Sequence, residues 1–394
     1  MIYREFKGKS LSRLGFGLMR LPEKDGQIDE ELTEKMIALA IENGVNYFDT
    51  AFPYHGGMSE VVAGKILAKY PRDSYYLATK FPGHQIADSY NAEEIFETQL
   101  RKCGTDYFDF YLLHNVYEKS LEVYSDKRWG IIDYLKKQRE AGRIKHLGFS
   151  SHGRLDNLRE FLDLYGDDME FCQIQLNYLD WTLQGAKEKY DLLCKRGIPV
   201  WVMEPVRGGR LAKLGEVPEK IFASMREGAS DASFAMRFLQ RLDGVGVVIS
   251  GMSSLEQVED NLKTFAQADP LTDAETDKLF EIAEGMKNSL PCTACRYCTE
   301  QCPMELDIPT IIAAFNDVRF GLEGGLTAAM QMQALPKDKL PSACIGCGAC
   351  AAMCPQNIDI PAAMTEFSAA LEKLPDWEKI SKIRGEEAKQ FLQK

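Results

Sequence analysis

Up to about residue 268 the chain alternates between two hydrophobic patterns. Short runs rich in β-branched and aromatic residues fall at 14–18, 46–49, 75–80, 108–114, 145–150, 171–176, 199–203 and 245–249. Their length and composition predict strands. Between them lie longer stretches with apolar residues at helical spacing, among them 30–43, 92–103, 129–141, 155–165, 183–196, 231–242 and 255–268. Several of these close on a helix-stop glycine: Gly44, Gly142 and Gly197. Eight strands, each followed by a helix, predict an α/β fold of the (β/α)8 TIM-barrel type. A doubly wound sheet is the alternative, but the Gly-x-Gly-x-x-Gly turn it needs after an early strand is missing. Residues 2–6 and 10–13 flank Lys7-Gly8-Lys9 and read as a hairpin that plugs the barrel floor.

The pattern changes after residue 271, so the barrel is assigned 1–271. Residues 272–290 read as a connecting helix opened by a capping box, with Thr272 as cap and Glu275 three residues on. Its length would carry the chain from the barrel floor back towards the active-site mouth, which places the next domain near that mouth. Residues 291–376 carry two cysteine motifs and form a smaller, mainly α-helical domain. Residues 377–394 form a charged amphipathic tail, expected to be helical.

Of the 11 cysteines, Cys103, Cys172 and Cys194 are scattered and read as core or helix residues. The other eight form two runs of one spacing: Cys292, Cys295, Cys298 and Cys302-Pro303, then Cys344, Cys347, Cys350 and Cys354-Pro355. Three thiolates at such spacing wrap one face of a 4Fe-4S cubane, and the fourth, before proline, ligates the other cluster. This assigns Cys292, Cys295, Cys298 and Cys354 to one cluster and Cys344, Cys347, Cys350 and Cys302 to a second. Zinc commonly takes two Cys-x-x-Cys pairs and does not account for two four-cysteine runs ending in Cys-Pro. On these motifs the segment resembles the two-cluster ferredoxins, in their helical rather than compact form. Ile308-Pro309 and Ile360-Pro361 follow the two motifs alike and mark an internal repeat.

The formal net charge of -12 argues against nucleic acid or an anionic membrane as partner. No run of about 18 apolar residues occurs, so no membrane span is expected. Charges interrupt the first residues, Met-Ile-Tyr-Arg-Glu-Phe-Lys, which do not read as a signal peptide. The expected setting is the cytoplasm, where thiols stay reduced and clustered cysteines point to metal.

Asp49 and Tyr54 lie at or just past the end of the second strand, Lys80 ends the third and His114 the fourth. In a TIM barrel that rim carries the chemistry. A carbonyl that accepts hydride needs a proton on oxygen, and a free phenol with pKa ~10 is a poor donor at neutral pH. A lysine ammonium beside Tyr54 is expected to lower that pKa, with Asp49 orienting the lysine and His114 the carbonyl. Each residue alone has an ordinary structural reading. The set, in order on three successive strand ends, resembles the aldo-keto reductase family over roughly residues 1–268.

The resemblance implies further contacts. Ser150 matches the family's serine after strand five and Gln173 its glutamine on strand six, which hold the nicotinamide carboxamide. Ser151 replaces the family's asparagine, and Met203 replaces the ring that stacks on the nicotinamide. Arg207, in the loop after strand seven, is expected to help hold a phosphate with the loop amides. After strand eight the family reads Ile-Pro-Lys-Ser and then an arginine, cations that clamp the 2′-phosphate of NADPH. Here Ile249-Ser250-Gly251-Met252 and Gln257 stand in those places, while Asn261, matching an adenine contact, remains. NAD(P)H is the implied cofactor, with NADH at least as well accommodated as NADPH, and FMN is compatible. Phe52, His84, Tyr117, Trp129, Tyr178 and Trp181 are candidate pocket residues.

These readings describe an oxidoreductase that interconverts a small-molecule carbonyl and an alcohol, with Tyr54 as general acid and two 4Fe-4S clusters for electron transfer. Two alternatives stand beside it. In one, a flavin couples one-electron transfer to two-electron chemistry. In the other, the barrel is inactive and the protein carries electrons or senses redox state. A redox partner protein such as a ferredoxin fits either, and a homo-oligomer is compatible with the chain.

Overall fold

The computed structural model describes all residues except 86, 213, 215, 287–289, 291, 293–295, 320–321, 355–357, 375, 378, 381, 384–385 and 387–394. The chain divides into two compact units, one built from Met1–Phe280 and one from Glu281–Lys382. In the first, eight parallel strands close a barrel in chain order: Leu14–Gly17, Tyr47–Asp49, Tyr76–Phe81, Phe108–Val116, Ile144–Ser151, Cys172–Gln175, Val200–Met203 and Val245–Gly251. Closure pairs the last with the first, Val248 to Leu14 through Gly251 to Gly17. Chain-order neighbours follow from helical crossovers of one hand, and they bring every strand's C-terminal end to one rim.

The opposite end is sealed as the sequence predicts. Strands Tyr3–Phe6 and Lys9–Ser12 pair antiparallel. Lys7 and Gly8 both have positive φ, 48° and 77°, the backbone a two-residue hairpin turn requires. Phe6 enters the floor and meets Phe110, His146, Phe171 and Trp201 at centroid distances of 5.8, 5.0, 6.4 and 5.1 Å. These large rings fill the space where eight strands converge, so the barrel is a packed core rather than a pore.

Helix Met58–Leu67, after the second strand, is not among the helices read from the sequence pattern. Its buried residues include Ser59, Glu60, Val62, Gly64 and Leu67, so it has no polar face to show a period. Gly64 is what lets it pack closely: a Cβ there would lie 2.6 Å from the Cys103 backbone of helix Ala92–Cys103. Helices Glu118–Ser125 and Glu216–Met225 add to the loops after strands four and seven.

The connecting helix runs Asp273–Met286, and its expected last residues, 287–289, lie outside the described residues. Its capping box is formed, Glu275 N donating to Thr272 Oγ1 at 3.2 Å and Thr272 N to Glu275 Oε2 at 2.7 Å. In the second unit the internal repeat is structural. Helices Ile308–Arg319 and Ile360–Leu371 each begin Ile-Pro, and Phe315 and Phe367, the same position in each repeat, stack at 5.0 Å. Arg296 and Gly348, also equivalent, both have positive φ, 68° and 78°. The expected tail 377–394 lies mostly outside the described residues. Among the described residues no helix is long and apolar enough to cross a membrane.

One ionic contact ties the floor together. Burial pushes the Glu170 carboxyl up, but hydrogen bonds from His146 and Lys7 outweigh it and hold the pKa down to about 2. A depressed carboxyl stabilises the fold above its unfolded pKa of ~4.3 and loses that contribution as pH falls through the folded value. Urea denaturation of Glu170→Gln should therefore show a lower midpoint than the wild type at pH 7. The gap should narrow as pH is taken from 5 towards 2.

Candidate functional site

The four rim residues predicted from sequence converge. The register that pairs Asp49 with Ala78 and Lys80 with Leu112 brings the ends of strands two, three and four side by side. Lys80 is 1% exposed. Its ammonium donates to Asp49 Oδ1 at 2.5 Å, to the Thr50 carbonyl at 2.8 Å and to the Tyr54 hydroxyl oxygen at 3.3 Å. An ammonium has three N–H groups, and all three are committed. Tyr54 accepts from lysine, which leaves its own proton to be donated elsewhere.

The Tyr54 ring meets the His114 ring edge to face, with centroids 5.7 Å apart. His114 in turn lies 4.2 Å from the His84 ring, between ring centroids. The Tyr124 hydroxyl, within reach of the carbonyls of Phe81 and His114, ties the ends of strands three and four together. Tyr54 itself opens a helical turn, Tyr54–Gly57, in which His55 and Gly56 have positive φ. His55 Nε2 accepts from the Leu21 amide at 3.2 Å and anchors that turn to the loop after strand one.

The electrostatics correct one expectation. Burial raises the Tyr54 phenol above its usual value; Lys80 offsets part of that rise, and Asp49 and Glu204 add to it. The lysine eases ionisation relative to burial alone, but does not bring the phenol below its ordinary pKa. Burial also works against the Lys80 ammonium, yet Asp49 and Tyr54 outweigh it and hold its pKa above the usual lysine value.

The expected cofactor contacts separate into two groups. Ser150 and Gln173 are register partners on strands five and six, and Ser150 Oγ already accepts from Asn115 N at 2.8 Å. Gln173 is 2% exposed, and its Oε1 finds no hydrogen-bond donor among the described residues. A buried acceptor of that kind fits a carboxamide N–H. Met203 ends strand seven opposite Gln175, and Gly251 ends strand eight beneath the side chain of Arg20. The others already have partners within the protein. Ser151 Oγ donates to the Val116 carbonyl and accepts from Gly153 N. Gln257 Oε1 accepts from Ser253 N, and Asn261 donates to Ser250 Oγ at 3.0 Å. Arg207 departs from its expected place at a phosphate: it is buried, with Nε donating to both oxygens of Asp180 at 3.0 and 3.1 Å.

Of the aromatic pocket candidates, several are packing residues. Tyr178 and Trp181 stand against Phe238, Trp129 against Tyr90, and Phe52 lies under Lys102. His84 reaches the rim, its ring against that of His114. The sequence reading passed over Arg20, although it stands three residues past strand one, where the rim rule points.

In the second unit Cys302, Cys344, Cys347 and Cys350 line one pocket, walled also by Leu306, Ile308, Ile345 and Met364. The Leu306 amide donates to Cys302 Sγ at 3.5 Å. Among the described residues no three His, Cys, Asp or Glu side chains converge on a point suited to a single metal ion. Four thiols on one pocket are the donor set that a 4Fe-4S cubane requires. Of the other four cysteines, Cys292 and Cys354 are half-buried, Cys298 is buried and Cys295 lies outside the described residues.

Comparison with known proteins matches this architecture. Residues 13–284 fit the model of the aldo/keto reductase family, and residues 291–358 fit that of a 4Fe-4S dicluster domain. L-galactose dehydrogenase of Arabidopsis thaliana is 27% identical over 307 residues, which cover 71% of this chain and 93% of that protein. The NADH-specific methylglyoxal reductase of Escherichia coli (strain K12) is 28% identical over 222 residues, covering 51% of this chain and 66% of that one, just under two thirds. The holo form of an aldo-keto reductase from Bacillus halodurans superposes with a TM-score of 0.58 at 26% identity, covering 72% of this chain and 96% of that structure. With the family model spanning more than half its length, the chain belongs to the aldo/keto reductase family and carries a 4Fe-4S dicluster domain after its barrel.

Proposed function

We propose that the barrel interconverts a small-molecule carbonyl and its alcohol, with Tyr54 as the acid that protonates the carbonyl oxygen. The observation that carries this reading is the Lys80 ammonium, which meets Asp49, Thr50 and Tyr54 at once. Asp49 holds the lysine charged and oriented. The lysine stabilises the phenolate left when the proton departs. Burial keeps the phenol protonated through neutral pH, so the acid is present in the form that reduction requires. His114, edge-on to Tyr54, orients the carbonyl.

A nicotinamide cofactor, when bound, supplies the hydride. Gln173 and Ser150 hold its carboxamide, with Met203 against the ring. Gly251 and Gln257 stand where the 2′-phosphate clamp is expected, which supports NADH over NADPH. The E. coli relative described as NADH-specific is in keeping with this. The thiols of Cys302, Cys344, Cys347 and Cys350 hold one 4Fe-4S cluster, and Cys292, Cys295, Cys298 and Cys354 the other. Such clusters would supply single-electron transfer to a partner such as a ferredoxin, and a cytoplasmic setting would keep their ligand thiols reduced before the clusters are inserted. The lost clamp and lost ring also suit FMN, which takes electrons singly or in pairs. FMN released from anaerobically purified protein would favour that second reading.

Tyr54→Phe should lower kcat for aldehyde reduction by about 10^2–10^4-fold, with NADH binding unchanged by fluorescence titration. Turnover equal to wild type would end the assignment of Tyr54 as acid. Lys80→Met leaves the Asp49 carboxylate buried without its cation, and should cost about 3–5 kcal/mol in urea denaturation as well as activity.

The crossed ligand sets predict which pairs of substitutions share a cluster. Cys302→Ser with Cys347→Ser should keep half the iron and acid-labile sulfide, whereas Cys298→Ser with Cys302→Ser should lose nearly all. The opposite result would mean that each motif holds its own cluster.

A further inference from the structure

We propose that His55 is a positioning residue for Tyr54, its neutral imidazole latching the turn that carries the phenol to the short hairpin after strand one. His55 has φ 52° and ψ 47°, a left-handed conformation that crowds a Cβ against the following carbonyl. Gly56 and Gly57 continue it, with φ 60° and 91°. Glycine takes such backbone freely, whereas a histidine in it needs compensation from its surroundings. Both ring nitrogens supply that compensation. Nε2 lies 3.2 Å from the Leu21 amide nitrogen, and Nδ1 lies 3.0 Å from Glu23 Oε1. A backbone amide only donates, so Nε2 is the acceptor and carries no proton. The ring proton therefore sits on Nδ1 and is donated to the Glu23 carboxylate. The His55 side chain is 9% exposed and that of Glu23 56%. The latch thus joins a buried amide on one side of the ring to a solvated carboxylate on the other.

The latch acts on the part of the turn that nothing else holds by a side chain. Before it, Tyr54 N donates to the Ala51 carbonyl at 3.1 Å. After it, Ser59 Oγ donates to the Leu18 carbonyl at 2.9 Å and lies 2.8 Å from Thr50 Oγ1. Between these points residues 55–57 read His-Gly-Gly and carry one side chain, the imidazole. The hairpin it grips pairs Glu23 with Ile28 and Lys24 with Gln27, and a hairpin that short does not hold itself. Asp29 N closes its base on the Pro22 carbonyl at 2.8 Å. The Tyr54 hydroxyl meets Lys80 at 3.3 Å, the long end of hydrogen-bond range, so a small shift of the turn would cost that contact.

The inference rests on the reductase reading for what Tyr54 does, but where the Tyr54 ring stands is measurable without turnover. His55→Gly suits the left-handed backbone and is expected to fold. In the full-length, cluster-loaded protein it should lower kcat for benzaldehyde reduction by NADH about tenfold, with KM for benzaldehyde and NADH binding unchanged. His55→Gln, whose amide offers one acceptor and one donor, should recover most of that loss. NMR of protein labelled with ζ-13C tyrosine follows the ring itself, the Tyr54 signal being the one absent from Tyr54→Phe. That signal should be displaced or broadened in His55→Gly and return towards its wild-type position in His55→Gln. Glu23→Ala, which leaves the turn's own sequence intact, should displace it to a smaller degree and covers a misfolded His55→Gly. A Tyr54 signal unmoved by these variants, wild-type kcat in His55→Gly, or a loss confined to KM overturns the proposal. Absence of NADH-dependent reduction in the wild type would count against the reductase reading, and the Tyr54 signal would still decide whether His55 places the ring.

Discussion

A lysine ammonium 1% exposed inside a barrel rim is tolerable only if every N–H is met and its charge is balanced. Much of the surrounding architecture serves that condition. Asp49 supplies the countercharge and Thr50 a carbonyl, both from the end of strand two. Behind the strand, Gln99 donates to the Lys80 carbonyl and to Glu60 Oε1, while Thr79 Oγ1 donates to the same Glu60 oxygen. Glu60 is itself fully buried and paired with Lys102 at 2.6 Å. One polar network therefore joins helices Met58–Leu67 and Ala92–Cys103 to the strand that carries the lysine. Gly64 permits the close approach of the two helices on which the network depends.

The phenol is the outlet of this arrangement. Because lysine uses its third N–H on the Tyr54 oxygen, the direction of that hydrogen bond is set, and the tyrosine proton faces away from the lysine. The lysine's value is greatest after the proton leaves, when a phenolate stands beside an ammonium in a water-poor site. Under the proposed function, this is how a phenol whose resting pKa is raised would still serve as an acid.

The rim also shows how a family site is altered without losing its form. Where the family resemblance expects two cations after strand eight, Gly251 and Gln257 stand instead, and Arg207 is drawn into a buried pair with Asp180. The Arg20 stem packs on Gly251 across the closure between strands one and eight. The second unit follows a different logic, repetition: two equivalent Ile-Pro helices stack their equivalent phenylalanines, and around one cavity the fourth cysteine of the first motif joins the first three of the second.

The sequence by itself determined the eight strands, the floor hairpin, the four rim residues that converge and the repeated cysteine runs. Each rests on local information: residue size and branching, spacing along one segment, or a proline after the fourth cysteine. Helix Met58–Leu67 escaped it because a helix buried on nearly all sides has no polar period. The sign of the Tyr54 shift escaped it because neighbours can be named from a motif, but burial is a property of the whole packed rim. Where Arg207 points, and that Arg20 lies over Gly251, depend on contacts between loops far apart in the chain. Only closing the barrel brought those loops together.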